Sequence, residues 1–312
     1  MAETLLSVEQ LRVDYEDLTA VDDVSFSVEA GMVYGLIGPN GAGKTSIIRV
    51  IAALLEPTYG SVRVAGVDVI DSPQEALRNI GFMPDFPPLY DDLTVREFLQ
   101  LFASAYGLDP ARRSARIDEL LVKVQLTEKA DTPAGSLSRG MKQRLFLAKT
   151  LLHDPKVLLL DEPASGLDPR ARLDLRDVII DLGKQGKAVL VSSHILAEMA
   201  DFCNSVGIME RGKMLVSGRI DDILKQLQPG LTMAVRLVAP DDRLGPALGA
   251  APGVSQVQLD GERATFKLAG GAPEAAALLK KLISDGLVVA DYHEVAGNLQ
   301  DIFLQVSTGR VS

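Results

Sequence analysis

Two periodicities alternate along the chain. Val24–Val28 (VSFSV) alternates apolar and polar residues, the period of a strand with one covered face. Val33–Ile37 and Val157–Leu160 are continuous apolar runs, as in central strands covered on both faces. Amphipathic stretches lie between them. Thr94 opens one. Glu97 follows three residues on, where a capping box requires it, and Leu93 and Phe98 are placed for a hydrophobic staple. Asp168-Pro169 opens another, with Asp as N-cap and Pro at the first helical position. Strands interleaved with helices predict an α/β domain with a largely parallel sheet over residues 1–228.

The pattern changes near Pro229-Gly230. Beyond it the alternation predicts strand Leu231–Val238, a weak helix over Asp241–Ala250 and strand Val254–Leu259. An Asp260-Gly261 turn leads to strand Arg263–Leu268, then helix Pro273–Ser284 and strand Leu287–Tyr292. The order β-α-β-β-α-β is ferredoxin-like, an α+β domain over 229–312. A last helix is expected over Asn298–Val306.

Composition narrows the function. Thirty-two Lys+Arg against 42 Asp+Glu leave a net charge of −10, which argues against a nucleic-acid partner. The single cysteine, Cys203, allows no intrachain disulfide. His153, His194 and His293 are too scattered to form a metal cluster. No apolar run reaches the ~18 residues of a membrane helix. The opening MAETLLSVEQ carries Glu3 and no basic stretch before an apolar core, so no leader is expected. A cytoplasmic protein is the expectation.

The chemistry begins at residues 38–45, Gly38-Pro39-Asn40-Gly41-Ala42-Gly43-Lys44-Thr45, followed by Ser46. The spacing is that of a phosphate-binding P-loop, with an apolar strand before it and a helical run, Ser46–Leu55, after it. Gly41 and Gly43 let the backbone wrap closely, so that successive N–H groups point inward at an anion. The following helix directs its positive end at the same place. Lys44 can reach β- and γ-phosphates, and Thr45 can offer a hydroxyl to Mg²⁺. At 157–162 an apolar strand runs into Asp161-Glu162. Two acids there are costly unless they face a cation or a reacting water. Asp161 fits a Mg²⁺-holding role, and Glu162 fits a general base. No Asn-Lys-x-Asp guanine-reading motif is present.

Just before that strand, residues 137–144 read Leu-Ser-Arg-Gly-Met-Lys-Gln-Arg. With the loop and the acids, this resembles the signature segment of the ABC ATPases. The motifs line up in order over about residues 5–228: Tyr15, the P-loop, the Asp85 region, Ser138–Met141, Asp161-Glu162, Ser165-Gly166-Leu167-Asp168 and His194. The resemblance implies a P-loop NTPase domain with a RecA-like core and a helical subdomain. It implies the ATP-hydrolysing subunit of an ABC transporter, using ATP and Mg²⁺. Its partners would be a second ATP-binding subunit, as a homodimer, and an integral membrane permease, which would hold the chain at the inner face of the membrane. It further implies that Tyr15 stacks on adenine and that Ser138 and Gly140 contact the γ-phosphate of ATP held by the other subunit. Asp168 would lie at the dimer interface, and His194 would contact the γ-phosphate.

Three positions depart from the family pattern. Arg139 and Met141 replace a Gly and the Gln of Leu-Ser-Gly-Gly-Gln, and Asp85 stands where Gln is usual. Asp85 is shorter and charged, and is an expected Mg²⁺ contact, direct or through water. Its apolar neighbours Phe86-Pro87-Pro88-Leu89-Tyr90 suit either a docking surface for a partner helix or a loop folded onto the chain's own helical subdomain. Leu299–Leu304 resembles the ending of exporter-type subunits with a short accessory domain. Export is therefore expected. Two alternatives compete: a soluble ABC protein acting on DNA or ribosomes, and a non-hydrolytic regulatory cassette. The acidic balance and the single cassette disfavour the first; Lys44, Asp161 and Glu162 disfavour the second.

Overall fold

The structure is a computed structural model that describes residues 3–85, 88–195, 199, 202–227 and 230–295. Phe86, Pro87 and the helix expected over 298–306 lie outside the described residues. The chain divides into two compact units between Ile220 and Asp221. The sequence pattern changes eight residues later, because a helix, Ile220–Leu227, spans the division.

In the first unit, strands β1 (Thr4–Tyr15), β2 (Leu18–Glu29), β3 (Val33–Ile37) and helix α1 (Lys44–Ile51) come first. Then follow β4 (Tyr59–Val64), β5 (Val67–Asp68), α2 (Pro73–Leu77) and β6 (Ile80–Met83). Helices α3 (Val95–Ala105), α4 (Pro110–Lys123) and α5 (Arg139–Thr150) precede β7 (Val157–Leu160), α6 (Pro169–Lys184) and β8 (Ala188–Ser193). The hairpin β9 (Ser205–Glu210) and β10 (Lys213–Arg219) ends the unit, and α7 (Ile220–Leu227) follows.

An antiparallel sheet of order β2-β1-β4-β5 faces a six-stranded sheet of order β10-β9-β3-β8-β7-β6 through a shared core. Strands β9, β3, β8, β7 and β6 run parallel, and β10 closes the edge antiparallel. The apolar runs expected to be central strands are central: every residue of β3, β7 and β8 is buried. Leu36, Ile47, Ile48, Val62 and Leu159 fill the core between the sheets, at 0% exposure. Parallel pairing aligns the carboxyl ends of β3, β8, β7 and β6 along one edge, where ligands of open α/β sheets bind.

The α1 helix starts at Lys44, two residues before the expected start, because Gly43 supplies its cap with φ +102°. The Thr94 capping box forms as expected: Glu97 N donates to Thr94 Oγ1 at 3.2 Å, and Thr94 N donates to Glu97 Oε2 at 2.8 Å. The helices α3, α4 and α5 pack on one another, with Phe98 between Phe102 and Phe146 at ring separations of 5.0 and 6.4 Å. They form the helical subdomain.

The second unit contains β11 (Leu231–Leu237), α8 (Leu244–Gly249), β12 (Val254–Asp260), β13 (Arg263–Leu268), α9 (Ala272–Ser284) and β14 (Val289–Glu294). The expected β-α-β-β-α-β order is present. The antiparallel sheet has order β12-β13-β11-β14 and its own core around Met233, Leu248, Phe266 and Leu282. The last strand runs two residues later than its apolar pattern indicates. Gly286 (φ +80°) ends α9, and Leu287 tucks back with its N–H on Leu282 O.

Candidate nucleotide-binding site

Four strand ends deliver the chemistry to one cleft. Past β3, the P-loop turns at Gly41 (φ +82°) and Gly43 (φ +102°), a backbone conformation that costs glycine nothing. Gly43 also has no room for a side chain, since a Cβ there would run into the carbonyl of Ala20. The Lys44 side chain folds back over the loop. Its Nζ donates to Gly38 O at 2.7 Å and Pro39 O at 3.2 Å, so the lysine both braces the loop and places its charge inside it.

Past β7, Asp161 is buried at 5% exposure. Its Oδ1 accepts from Ser192 Oγ at 2.6 Å and from Thr45 Oγ1 at 3.4 Å. Ser192, on β8, accepts in turn from the Glu162 amide at 2.9 Å, fixing the peptide between the two acids. Glu162 holds φ +48°, a strained setting for a residue with a side chain and one found at functional sites. Its two oxygens divide the work. Oε1 lies 3.8 Å from Lys44 Nζ, and Oε2 lies 2.9 Å from His194 Nδ1, past the end of β8. Burial lowers the Lys44 pKa from its ordinary value, against the pull of Glu162 and Asp161.

Asp85 follows β6. Burial raises its pKa, Asp161 and Glu162 push the same way, and Arg139 and His194 oppose them. Its Oδ1 is buried with no hydrogen-bond partner. Tyr15, 39% exposed at the end of β1, has its hydroxyl 3.3 Å from Ser46 Oγ. Together these residues frame a cleft of about 630 Å³. Tyr15, Leu18, Thr19 and Ala20 line one part, Asn40–Ser46 another, and Asp85, Glu162, Ser165, His194 and Arg211 the rest. Leu18–Ala20, Ser192 and Arg211 escape motif reading, since only strand pairing and a hairpin turn bring them here.

Ser138, Gly140 and Asp168 do not line this cleft. Ser138 caps α5 by accepting from Met141 N at 3.3 Å, and Asp168 caps α6 by accepting from Ala171 N at 2.9 Å. Gly140 is buried against α6, where a Cβ would stand 2.9 Å from Ala171 Cβ. The Arg139 guanidinium covers Gly166.

A family profile described as ABC transporter matches residues 21–165. The chain is 34% identical over 308 residues to the Nod factor export ATP-binding protein I of Ralstonia nicotianae, covering 98% of this chain and 94% of that one. The chain belongs to the ABC transporter ATP-binding proteins. It is 36% identical over 307 residues to the ABC transporter ATP-binding protein YxlF of Bacillus subtilis, covering 97% and 99% of the two chains. A solved ATP-binding subunit of an ABC transporter superposes with a TM-score of 0.65 at 36% identity, over 71% of this chain and 92% of that one. The fold is therefore that of an ABC ATPase, a P-loop NTPase that binds and hydrolyses ATP.

The donors of this ABC ATPase fit Mg²⁺. Asp161 and Thr45 offer hard oxygens, and Mg²⁺ characteristically takes one or two protein ligands beside phosphate oxygens and water. No group of three or more His, Cys, Asp or Glu able to hold a metal exists among the described residues, so the cleft has no dedicated protein cage. Among the described residues, no helix is long and apolar enough to cross a membrane.

Proposed function

We propose that the chain powers export through a separate membrane permease, with residues 1–228 as the ATP-hydrolysing cassette and 229–312 as an accessory domain. Two copies close head to tail, each with ATP on its P-loop. The permease holds the pair at the inner face of the membrane and meets it through the Asp85–Tyr90 region. The supporting relatives bear names such as Nod factor export ATP-binding protein I and, for 74% of this chain at 37% identity, probable multidrug ABC transporter ATP-binding protein YbhF of Escherichia coli.

In this reading Tyr15 stacks on adenine. The Gly38–Thr45 loop wraps the β- and γ-phosphates and turns its uncommitted amides toward them, with those of the α1 N-terminus, and Ser46 completes the first turn. Lys44, already positioned by Gly38 O and Pro39 O, shares its charge with the γ-phosphate. Thr45 and Asp161 would hold Mg²⁺, which would supply charge neutralisation at the phosphates, and Asp85 would reach that group through water. Glu162 accepts the proton of the attacking water, and its Oε2 contact to His194 keeps the carboxylate aimed. His194 also donates toward the γ-phosphate as charge develops there. Ser138 and Gly140 cap that phosphate from the other copy, with the α5 N-terminus behind them. Asp168 lies at the interface between copies. No nucleic-acid contact is required.

The observation that carries the reading is Glu162 held between Lys44 and His194 beside the P-loop. Substituting Glu162→Gln keeps the shape and removes the base. Turnover should fall by about 10²-fold or more while ATP binding persists. Unchanged hydrolysis in that variant would remove Glu162 from the role of base.

A further inference from the structure

We infer that Arg211 is a nucleotide-binding residue of this site, gripping the ribose and α-phosphate where the nucleoside and phosphate parts of the cleft meet. The inference rests on reading the cleft as the ATP site, and the residue belongs to none of the motifs that define it.

Arg211 and Gly212 are the two-residue turn between β9 and β10, whose flanking residues Glu210 and Lys213 pair. Both turn residues have positive φ, +49° and +81°. Such primed turns favour Asn-Gly or Asp-Gly, because a longer side chain at the first position is strained. Arginine breaks the local preference, and departures of this kind concentrate at functional positions.

The turn is also pinned to the cleft on two sides. Gly212 N donates to Ala42 O of the P-loop at 3.2 Å, and Gly212 O accepts from Asp22 N of β2 at 2.8 Å. A Cβ on Gly212 would stand 3.0 Å from Ala20 O. The Arg211 side chain therefore starts from a fixed point beside both Ala20 and Ala42. Ala20 neighbours Leu18, Thr19 and Tyr15, the part of the cleft expected to take the nucleoside, while Ala42 belongs to the phosphate loop.

Charge favours the same assignment. Among the described residues of the cleft lining, Lys44 and Arg211 are the two Lys or Arg, against Asp85 and Glu162. Lys44 is committed to two loop carbonyls and lies 3.8 Å from Glu162. Arg211 is exposed and has no ion-pair partner among the described residues, whereas Lys213, two residues on, is held 3.4 Å from Asp22. An unpaired guanidinium on the rim of a phosphate cleft meets an arriving anion without breaking an existing pair. Its planar donor fork suits adjacent phosphate and sugar oxygens.

Arg211→Asn separates binding from folding, since Asn suits the turn better than Arg. Isothermal titration of the full chain with ADP and with ATP should show Kd raised about five- to tenfold for both, the loss of one charge-assisted contact. Thermal unfolding without nucleotide should be unchanged or shifted upward. Arg211→Lys should recover part of the affinity. The inference is overturned if Arg211→Asn leaves both Kd values unchanged, or if ATP alone weakens, which would put the contact on the γ-phosphate. Lys44→Ala tests the underlying reading separately. If it binds ATP like the parent chain, the cleft is not the ATP site. If it loses ATP while Arg211→Asn does not, only the role of Arg211 falls.

Discussion

Residues at the site divide by how their environment is made. The chemistry of Asp161 and Glu162 is readable from the strand they terminate, since acids after four buried apolar residues need a partner. Their fixation is not: Ser192 bridges the two across 30 residues of sequence, and only the β7–β8 pairing brings it there. Cys203 illustrates the same division. Beside Phe202 in the sequence, the lone cysteine is expected to be a buried or half-buried small hydrophobe, with no partner specified. The structure buries it at 8% exposure, with Sγ 3.8 Å from Met199 Sδ, and burial pushes its thiol pKa well up. A raised pKa means less thiolate at any working pH, and the thiolate is the nucleophile. At pH 8 the native chain should therefore resist a maleimide or iodoacetamide that labels the guanidinium-unfolded chain within minutes. Equal labelling rates, read by mass spectrometry, would show Cys203 to be accessible.

Elements were legible where the local code is strong. The capping box of α3 needs only Thr94 and Glu97 three residues apart, and both of its hydrogen bonds form. Its worth can be read in urea unfolding. Thr94→Ala should destabilise the first unit by about 1 kcal/mol, the usual cost of losing such a cap. The box also has a pH signature. Hydrogen bonds from the Thr94 backbone and then its side chain hold the Glu97 carboxyl below its usual pKa. A depressed acid contributes stability above its unfolded pKa and loses it as pH falls through the folded value. The Thr94→Ala penalty should accordingly shrink below about pH 4. A penalty constant from pH 7 to pH 3 would place the cap energy in the bond that Thr94 Oγ1 accepts from Glu97 N, and not in the one it donates to the Glu97 carboxylate. Boundaries set by tertiary contact were less legible. The α1 helix begins at Lys44 rather than Ser46, because the P-loop glycine supplies its cap, and β14 begins at Val289, after Leu287 is drawn into the core.

At the scale of the molecule, each unit carries a core of its own. The sequence shows this as a change of pattern near Pro229-Gly230. The second unit has one covered sheet face, while the parallel sheet of the first is covered on both. Phe266 is 1% exposed in the second core. Phe266→Ala should cost that unit about 3–5 kcal/mol. Scanning calorimetry should then show one transition lowered, with the ATP-stabilised transition of the first unit left in place. A uniform shift of all unfolding would mean that the units melt as one.

By itself, the sequence determined the P-loop, the paired acids, the helix caps, the family pattern and the order of elements. Each of these is written in neighbouring residues, through backbone freedom, hydrogen-bonding reach or periodicity. Tertiary structure alone decided what meets in the cleft: Ser192 under Asp161, His194 against Glu162, and Arg211 beside Ala20 and Ala42. Those contacts join strands distant in sequence whose order, β10-β9-β3-β8-β7-β6, depends on how apolar faces pack in three dimensions and not on any local signal.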